Sequence, residues 1–166
     1  MRKPKLVVTG YARHGKDTVC QLLKEEHGFT FESSSQAVGF KAVYPTLRTK
    51  YKYKTFEDCY NDRVNHRQEW FELIKAYNTP DLAKLGREIF QYYDIYCGLR
   101  NMNELETMIV EGLVDCIVWV DASLRKKPEP STSITITRND CDFVVDNNGS
   151  LEDLKVEVQR LVEKLI

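Results

Sequence analysis

The sequence lacks long apolar runs, an excess of charge of either sign, and paired cysteines. Its 166 residues carry 24 Lys and Arg against 25 Asp and Glu, and a net charge of −1 argues against bulk electrostatic attraction to nucleic acid or membrane. No stretch approaches membrane-spanning length, and residues 1–9 are too short and too soon interrupted for a signal peptide. We therefore expect a cytoplasmic protein with no membrane partner.

The cysteines and the chain length indicate the type of protein and the number of domains. The five cysteines are isolated, odd in number and without C-x-x-C spacing, which is typical of free, mostly buried thiols in a reducing cytosol and excludes a zinc ribbon. A chain of 166 residues with 42% hydrophobic side chains can bury one sizeable core. We expect a single enzyme-sized domain over residues 1–166.

The most informative segment that is present is LVVTGYARHGKDT, residues 6–18. The apolar run Leu6–Val8 leads to Gly10. Gly15 and Lys16 come five and six residues later, and residues 17–26 can form a helix. This order of strand, glycine-bounded turn, lysine and helix predicts a phosphate-binding loop. The alternative is a glycine-rich turn with a chance lysine. The loop hypothesis implies a nucleoside triphosphate ligand.

The residue types of this loop suit phosphate chemistry. Glycines at 10 and 15 allow successive backbone N–H groups to point at a phosphate, and the helix adds its positive end. Lys16 supplies a mobile charge for the terminal phosphates. Asp17 separates the lysine from the hydroxyl of Thr18, so we expect Thr18 and Asp17 to face the phosphates or a magnesium-bound water. The alternative for Asp17 is a purely structural role, in which its negative charge stabilises the first turn of the helix.

Apolar patterning along the rest of the chain predicts strands alternating with helices. Strands are predicted at 6–8, 29–31, 95–97, 115–120 and 143–145, and helices at 16–26, 33–47, 66–77, 81–93, 103–110 and 151–166. Ser33–Ser35 are predicted to cap the second helix and Pro45 to break it, and residues 48–63 are predicted to be irregular. Alternation of this kind implies an α/β fold in three layers, with a mainly parallel sheet covered by helices on both faces. Residues 122–139 are predicted to form a loop or short lid.

Four segments are distinctive when taken together: GYARHGKDT, LAKLGREIF (82–90), YCGLRNMNELE (96–106) and CDFVVDNNGSLEDLKVEV (141–158). In this order they resemble segments of bacteriophage deoxynucleoside monophosphate kinases. The individual matches are Arg13, Gly15, Lys16, Asp17, Thr18, Arg100 and Glu104. Gly98 stands where that family usually has an acid. The resemblance implies a P-loop kinase fold, ATP with Mg²⁺, a nucleotide acceptor, and a host cytoplasm as the location if the source is viral.

Phosphoryl transfer between nucleotides requires positive charge from loops at the carboxyl ends of the strands. The predicted catalytic residues are Lys16, Arg13, Asp17 and Arg100. The predicted ATP-binding residues are Gly10, Arg13, His14, Gly15, Lys16, Asp17, Thr18 and Arg125. The predicted acceptor-binding residues are Arg63, Arg67, Arg87, Arg100 and Glu104. For the arginines the alternative is a solvated surface position in an exposed ion pair. Asp121, at a strand end, is either a magnesium ligand or a turn residue.

Residues 48–54 alternate basic and aromatic side chains. They could track single-stranded nucleic acid, form a lysine-protected edge strand, or be a nucleotide-binding loop. The overall charge disfavours nucleic acid as a partner.

The leading functional hypothesis is ATP-dependent phosphorylation of a deoxynucleoside monophosphate. The alternatives are a kinase for a hydroxyl of a nucleoside or of a hydroxymethylated base in DNA, and a nucleotide-binding regulator without turnover. A homodimer is left open.

Overall fold

The computed structural model describes residues 2–166 and contains one five-stranded sheet. The strands are β1 (Leu6–Thr9), β2 (Phe31–Ser33), β3 (Ile95–Cys97), β4 (Cys116–Asp121) and β5 (Phe143–Asp146). Their order in the sheet is β2-β3-β1-β4-β5, and every pairing is parallel. In the centre, Val7 of β1 is in register with Tyr96 and Ile117 on its two neighbours.

Helices cover both faces of this sheet. The α-helices are α1 (Lys16–His27), α2 (Ser34–Val38), α3 (Tyr44–Tyr51), α4 (Phe56–Asn61), α5 (Arg67–Tyr77), α6 (Lys84–Tyr92), α7 (Met102–Val110) and α8 (Leu151–Leu165). Helices α1 and α8 pack on one face through residues such as Leu23 and Val158. Helices α6 and α7 pack on the other through residues such as Ile89 and Leu105. The predicted three-layer α/β fold is confirmed.

The central strands carry the continuous apolar runs 6–8 and 116–120 because both of their faces are covered. All four residues of β1 and all six of β4 are buried. This is why these two runs could be recognised without any polar alternation. Strand β2 is shorter and only half-buried, and it starts two residues later than the predicted 29–31.

The region between β2 and β3 differs most from the sequence predictions. Ser33 caps α2 as expected, accepting from Gln36 N–H at 3.3 Å, but a π-helical turn, Gly39–Val43, follows. Pro45 does not break the helix; it stands in the first turn of α3, where its missing N–H costs no helical bond.

Residues 48–63 are also mostly helical rather than irregular, ending in a 3₁₀ turn at Asp62–Asn65. A separate small core stabilises this part of the chain. It brings together Val43, Leu47, Cys59 and Trp70, all buried. The short helices α3 and α4 therefore depend on tertiary packing, which local sequence does not reveal.

The segment after β4, residues 122–139, is largely irregular, as predicted, with a 3₁₀ turn at Arg138–Asp140. Its second half is anchored, since Ile134 and Ile136 are buried and Thr135 N–H donates to the Arg100 carbonyl at 2.9 Å. Within residues 2–166, no helix combines the length and the hydropathy that a membrane crossing requires.

Candidate active site

The loop between β1 and α1 has the backbone geometry of an anion cradle. Gly10 has φ of 145° and Gly15 has φ of 98°, and Arg13 between them is also in the left-handed region at 66°. A Cβ atom on Gly10 would lie 2.6 Å from the Val120 carbonyl oxygen. Both glycines are therefore required by the path of the chain, which leads into the N-terminus of α1.

His14 fastens this loop to the strand beside it. The imidazole is fully buried, and its Nδ1 accepts a hydrogen bond from Ala122 N–H at 2.9 Å. Nδ1 therefore carries no proton, and Nε2–H faces the Lys127 carbonyl oxygen at 3.3 Å. The side chain of His14 therefore holds the loop against the residues after β4.

Asn147 fastens the same loop from β5. Its Nδ2 donates to the His14 carbonyl oxygen at 2.9 Å, and its own backbone N–H donates to the Asp121 carbonyl oxygen at 2.7 Å. The amide lies so close to Gly15 that a Cβ there would collide with it. Sequence reasoning missed this residue; the only local signal was its place in the turn DNNG.

Lys16 points back across the loop. Its Nζ donates to the carbonyl oxygens of Gly10 at 3.0 Å and Tyr11 at 3.1 Å. Burial and the nearby Arg100 guanidinium lower its pKa below the ordinary value of 10.5. The ammonium is thus held at the cradle in an environment where additional negative charge is favourable.

Arg100, which follows β3, reaches the same loop. Its Nη1 donates to the carboxylate of Glu129, and the other oxygen of that carboxylate accepts from the Ala12 backbone N–H. The loop therefore already binds an oxyanion through a backbone N–H and a guanidinium, so its donors fit a phosphate. Glu129 was not recognised from the sequence, where it is one charged residue between two prolines.

Asp17 and Thr18 lie in the first turn of α1, both exposed. Carboxylate and hydroxyl oxygens are ligands that Mg²⁺ accepts, directly or through water, so the donor set fits the predicted metal. Asp17 Oδ1 also faces the Cys97 thiol at 3.5 Å. Gly98, next along the chain, has φ of 89° and open space where a Cβ would be, so backbone conformation rather than packing explains a glycine there.

A cleft of about 480 Å³ opens beside the start of α1. Helix α1, strand β2 and helices α2 and α4 contribute its walls. The lining residues are Asp17, Thr18, Gln21, Phe31, Glu32, Ser33, Gln36 and Tyr60. Phe31 and Tyr60 supply aromatic surface, and Gln21 and Gln36 supply amides. Burial raises the pKa of the Glu32 carboxyl.

Of the predicted acceptor-binding arginines, Arg63 lies next to this cleft. Its guanidinium stacks over the Tyr60 ring at 3.8 Å from the centroid, and Nη1 donates to the Tyr60 carbonyl oxygen at 2.9 Å. Arg67 is exposed at the first position of α5.

Two other predicted acceptor-binding residues have partners elsewhere. Arg87 is ion-paired with Asp81 and with Glu111. Glu111 lies at the end of α7, which leads to the amino end of β4, opposite the sheet edge that carries the loop. Glu104 accepts from Asn78 Nδ2 at 3.0 Å, and burial raises the pKa of its carboxyl. None of these contacts involves a residue of the phosphate loop, and the acceptor-binding role of both residues stays a prediction.

Asp121 is the last residue of β4, and Arg125 lies in the turn that follows it. Arg125 Nε donates to the Asn147 carbonyl oxygen at 2.8 Å, which joins the turn after β4 to the turn after β5. The Asp121 carboxylate accepts from the Ser123 hydroxyl at 3.1 Å and lies 3.4 Å from Asn148 Nδ2. These contacts join the end of β4 to the residues of both turns, and the magnesium role of Asp121 stays a prediction.

The basic and aromatic stretch 48–54 is not an edge strand. It is the end of α3 and the turn after it. Tyr51 stacks on His66 with 4.0 Å between ring centroids, and the Tyr53 hydroxyl donates to Asp62. The rings therefore pack within the protein, and the edge-strand alternative is wrong.

Comparisons with known proteins agree with this architecture. No protein-family model matches the sequence, and no curated protein matches it. A shikimate kinase from Bacteroides thetaiotaomicron superposes with a TM-score of 0.53 and 12% identity, covering 99% of both chains. TT1252 from Thermus thermophilus superposes with a TM-score of 0.52 and 17% identity, covering 99% of this chain and 100% of that one. The chain has the fold of a P-loop kinase.

Proposed function

We propose that this protein transfers the γ-phosphoryl group of ATP to a deoxynucleoside monophosphate, giving the diphosphate. The observation that carries the proposal is the adjacency of two features: an anion-binding loop and a cleft that share Asp17 and Thr18. A donor phosphate at the loop and an acceptor in the cleft would meet at the start of α1. Such adjacency is what in-line phosphoryl transfer requires.

The loop residues provide the charge that this chemistry needs. ATP, bound with Mg²⁺, supplies the phosphoryl group. Lys16 and Arg100 are the cations at the loop, and the burial of Lys16 strengthens its interaction with phosphate oxygens. Asp17 and Thr18 would hold the metal. His14 and Asn147 keep the loop in one conformation, so the backbone donors need no reorganisation.

The cleft suits the nucleoside part of a nucleotide. Phe31 and Tyr60 offer aromatic surface for a base, and Gln21 and Gln36 offer amides for its edge. Arg63, stacked over Tyr60, adds a cation at one wall. Because the acceptor phosphate is already anionic, no strong general base is needed.

One observation favours a second candidate, a kinase that acts on a hydroxyl. The cleft also presents two carboxylates, Asp17 and Glu32, and a hydroxyl acceptor needs a carboxylate within hydrogen-bond reach to take its proton. The acceptor would then be a nucleoside or a hydroxymethylated base in DNA. The raised pKa of Glu32 suits a proton acceptor.

The test is an acceptor panel with Mg-ATP, resolved by ion-exchange chromatography. It contains deoxynucleoside and ribonucleoside monophosphates, nucleosides and a hydroxymethylated DNA duplex. Diphosphate from one or more deoxynucleoside monophosphates is the expected result. Phosphorylation of nucleosides or DNA instead would support the second candidate. ATP binding without transfer to any acceptor would overturn both and indicate a nucleotide-binding regulator.

A further inference from the structure

Glu129 lies where a nucleotide phosphate is proposed to bind. One oxygen of its carboxylate accepts from the Ala12 backbone N–H in the phosphate loop, and the other accepts from Arg100 Nη1. The Glu129 side chain is only 15% exposed. A single intramolecular carboxylate therefore satisfies two donors that the proposed function assigns to phosphate.

The chain around Glu129 delivers this carboxylate to the loop. Pro128 and Pro130 flank the residue and restrict the backbone to extended conformations. On the amino-terminal side, His14 Nε2 faces the Lys127 carbonyl oxygen at 3.3 Å. On the carboxyl-terminal side, buried Ile134 anchors the segment. These contacts keep the segment beside the loop, so the Glu129 carboxylate stays within reach of Ala12 and Arg100.

Carboxylate and phosphate compete for the same partners. Both offer paired oxygens of negative charge, which a guanidinium and a backbone N–H recognise equally. Two such anions in one partly desolvated site would repel each other. Glu129 and a phosphate group at this position therefore exclude one another.

We propose that Ala12 N–H and the Arg100 guanidinium form a phosphate subsite that Glu129 fills in the resting protein, and that Glu129 withdraws when a nucleotide phosphate binds. This inference rests on the proposed nucleotide binding at the loop, but not on phosphoryl transfer. The ligand class is a nucleoside polyphosphate or inorganic polyphosphate. While Glu129 competes for the subsite, the apparent affinity for the phosphate ligand is the intrinsic affinity multiplied by the fraction of molecules in which the subsite is free.

The variant Glu129→Gln tests this by removing the charge while keeping the size. Isothermal titration calorimetry measures binding of Mg-ATP and of inorganic tripolyphosphate, without acceptor. Loss of the competing charge should tighten both roughly tenfold, within the range of ordinary coupling between sites. Glu129→Ala, which also removes the hydrogen bond to Ala12, should tighten them at least as much. Glu106→Gln, on the exposed side of α7, is the matched control and should bind as wild type does.

Equal or weaker binding in both Glu129 variants, with melting curves showing folded protein, would overturn the proposal. It would mean that Glu129 stays in place and supports the ligand. The binding measurements test the Glu129 proposal independently of whether the protein transfers a phosphoryl group. Tighter binding in Glu129→Gln, together with an acceptor panel that yields no product, would retain the subsite and discard the kinase.

Discussion

The side-chain amide of Asn147 donates a hydrogen bond to the His14 carbonyl oxygen at 2.9 Å, joining the turn after β5 to the phosphate loop across 133 positions of sequence. The amide is buried and occupies the space that a side chain on Gly15 would need. The shape of the loop therefore depends on a residue that carries no charge and is not proposed to touch a nucleotide.

Asn147→Ala should weaken both the fold and the loop. It deprives a buried carbonyl of its partner and leaves a gap, so the free energy of unfolding should fall by about 1–3 kcal/mol. Urea unfolding measures this loss, and titration with Mg-ATP should show weaker binding. Asn139→Ala, an exposed asparagine in the 3₁₀ turn, should change neither quantity appreciably. Similar losses in both variants would indicate that the His14 contact is unimportant.

Gly15→Ala should be more harmful than Asn147→Ala, because it adds a collision with Asn147 to backbone strain at φ of 98°. In the double variant the collision disappears while the strain remains. We expect the double loss of stability to be smaller than the sum of the single losses by roughly 0.5–3 kcal/mol. A double-mutant cycle in urea measures that coupling. Strict additivity would contradict the close packing of these two residues.

Much of the fold could be predicted because its signals are local. The runs 6–8 (LVV) and 116–120 (CIVWV) are continuously apolar, since both faces of the central strands are buried. The glycines, Lys16 and the helix after them identify the loop because they are contiguous. Ser33 was correctly expected to cap a helix, since capping needs only the next three residues.

What could not be predicted depends on contacts between distant residues. Helices α3 and α4 are short and polar, and they are held by a small core that includes Trp70. The contact of Glu129 with Ala12 spans 117 positions, and that of Ala122 with His14 spans 108. No periodicity or motif reports such pairs. The ion pairs of Arg87 were equally hidden from the sequence. It was predicted to bind the acceptor, and its partners in the structure are two surface acids, Asp81 and Glu111.

Arg100→Ala should lower kcat/KM by about 10²-fold, the scale of removing one preorganised donor to the reacting phosphate. Arg48→Ala is the matched control. Arg48 is exposed on α3, with its guanidinium 5.8 Å from the Tyr44 ring centroid, and its loss should change kcat/KM less than twofold. Steady-state kinetics with ATP and the acceptor found by the panel give both values. Equal losses of kcat/KM in the two variants would indicate that the basic stretch at 48–54 contributes to the site as much as Arg100 does.

Glu104→Gln should stabilise the protein near neutral pH. Burial raises the pKa of the Glu104 carboxyl in the folded state, so folding disfavours its ionised form, while glutamine keeps an oxygen to accept from Asn78. As the pH falls through that raised pKa towards the ordinary value of 4.5, wild type takes up its proton and the advantage of the variant should shrink.

Urea unfolding of both proteins at several pH values between 7 and 4 follows this difference. Glu106→Gln, the same substitution at an exposed neighbour on α7, is the matched control. A stability advantage of Glu104→Gln that grows as the pH falls would contradict a desolvated carboxylate at this position.

The most direct test of phosphoryl transfer at this loop follows the label from γ-³²P-labelled ATP in single turnovers, in wild type and in Lys16→Ala. The result we predict is label on the β position of a deoxynucleoside diphosphate, formed roughly 10²–10³ times more slowly by Lys16→Ala. Label transfer at the same rate in both proteins, or ATP bound by wild type with no label leaving it, would contradict the proposed activity.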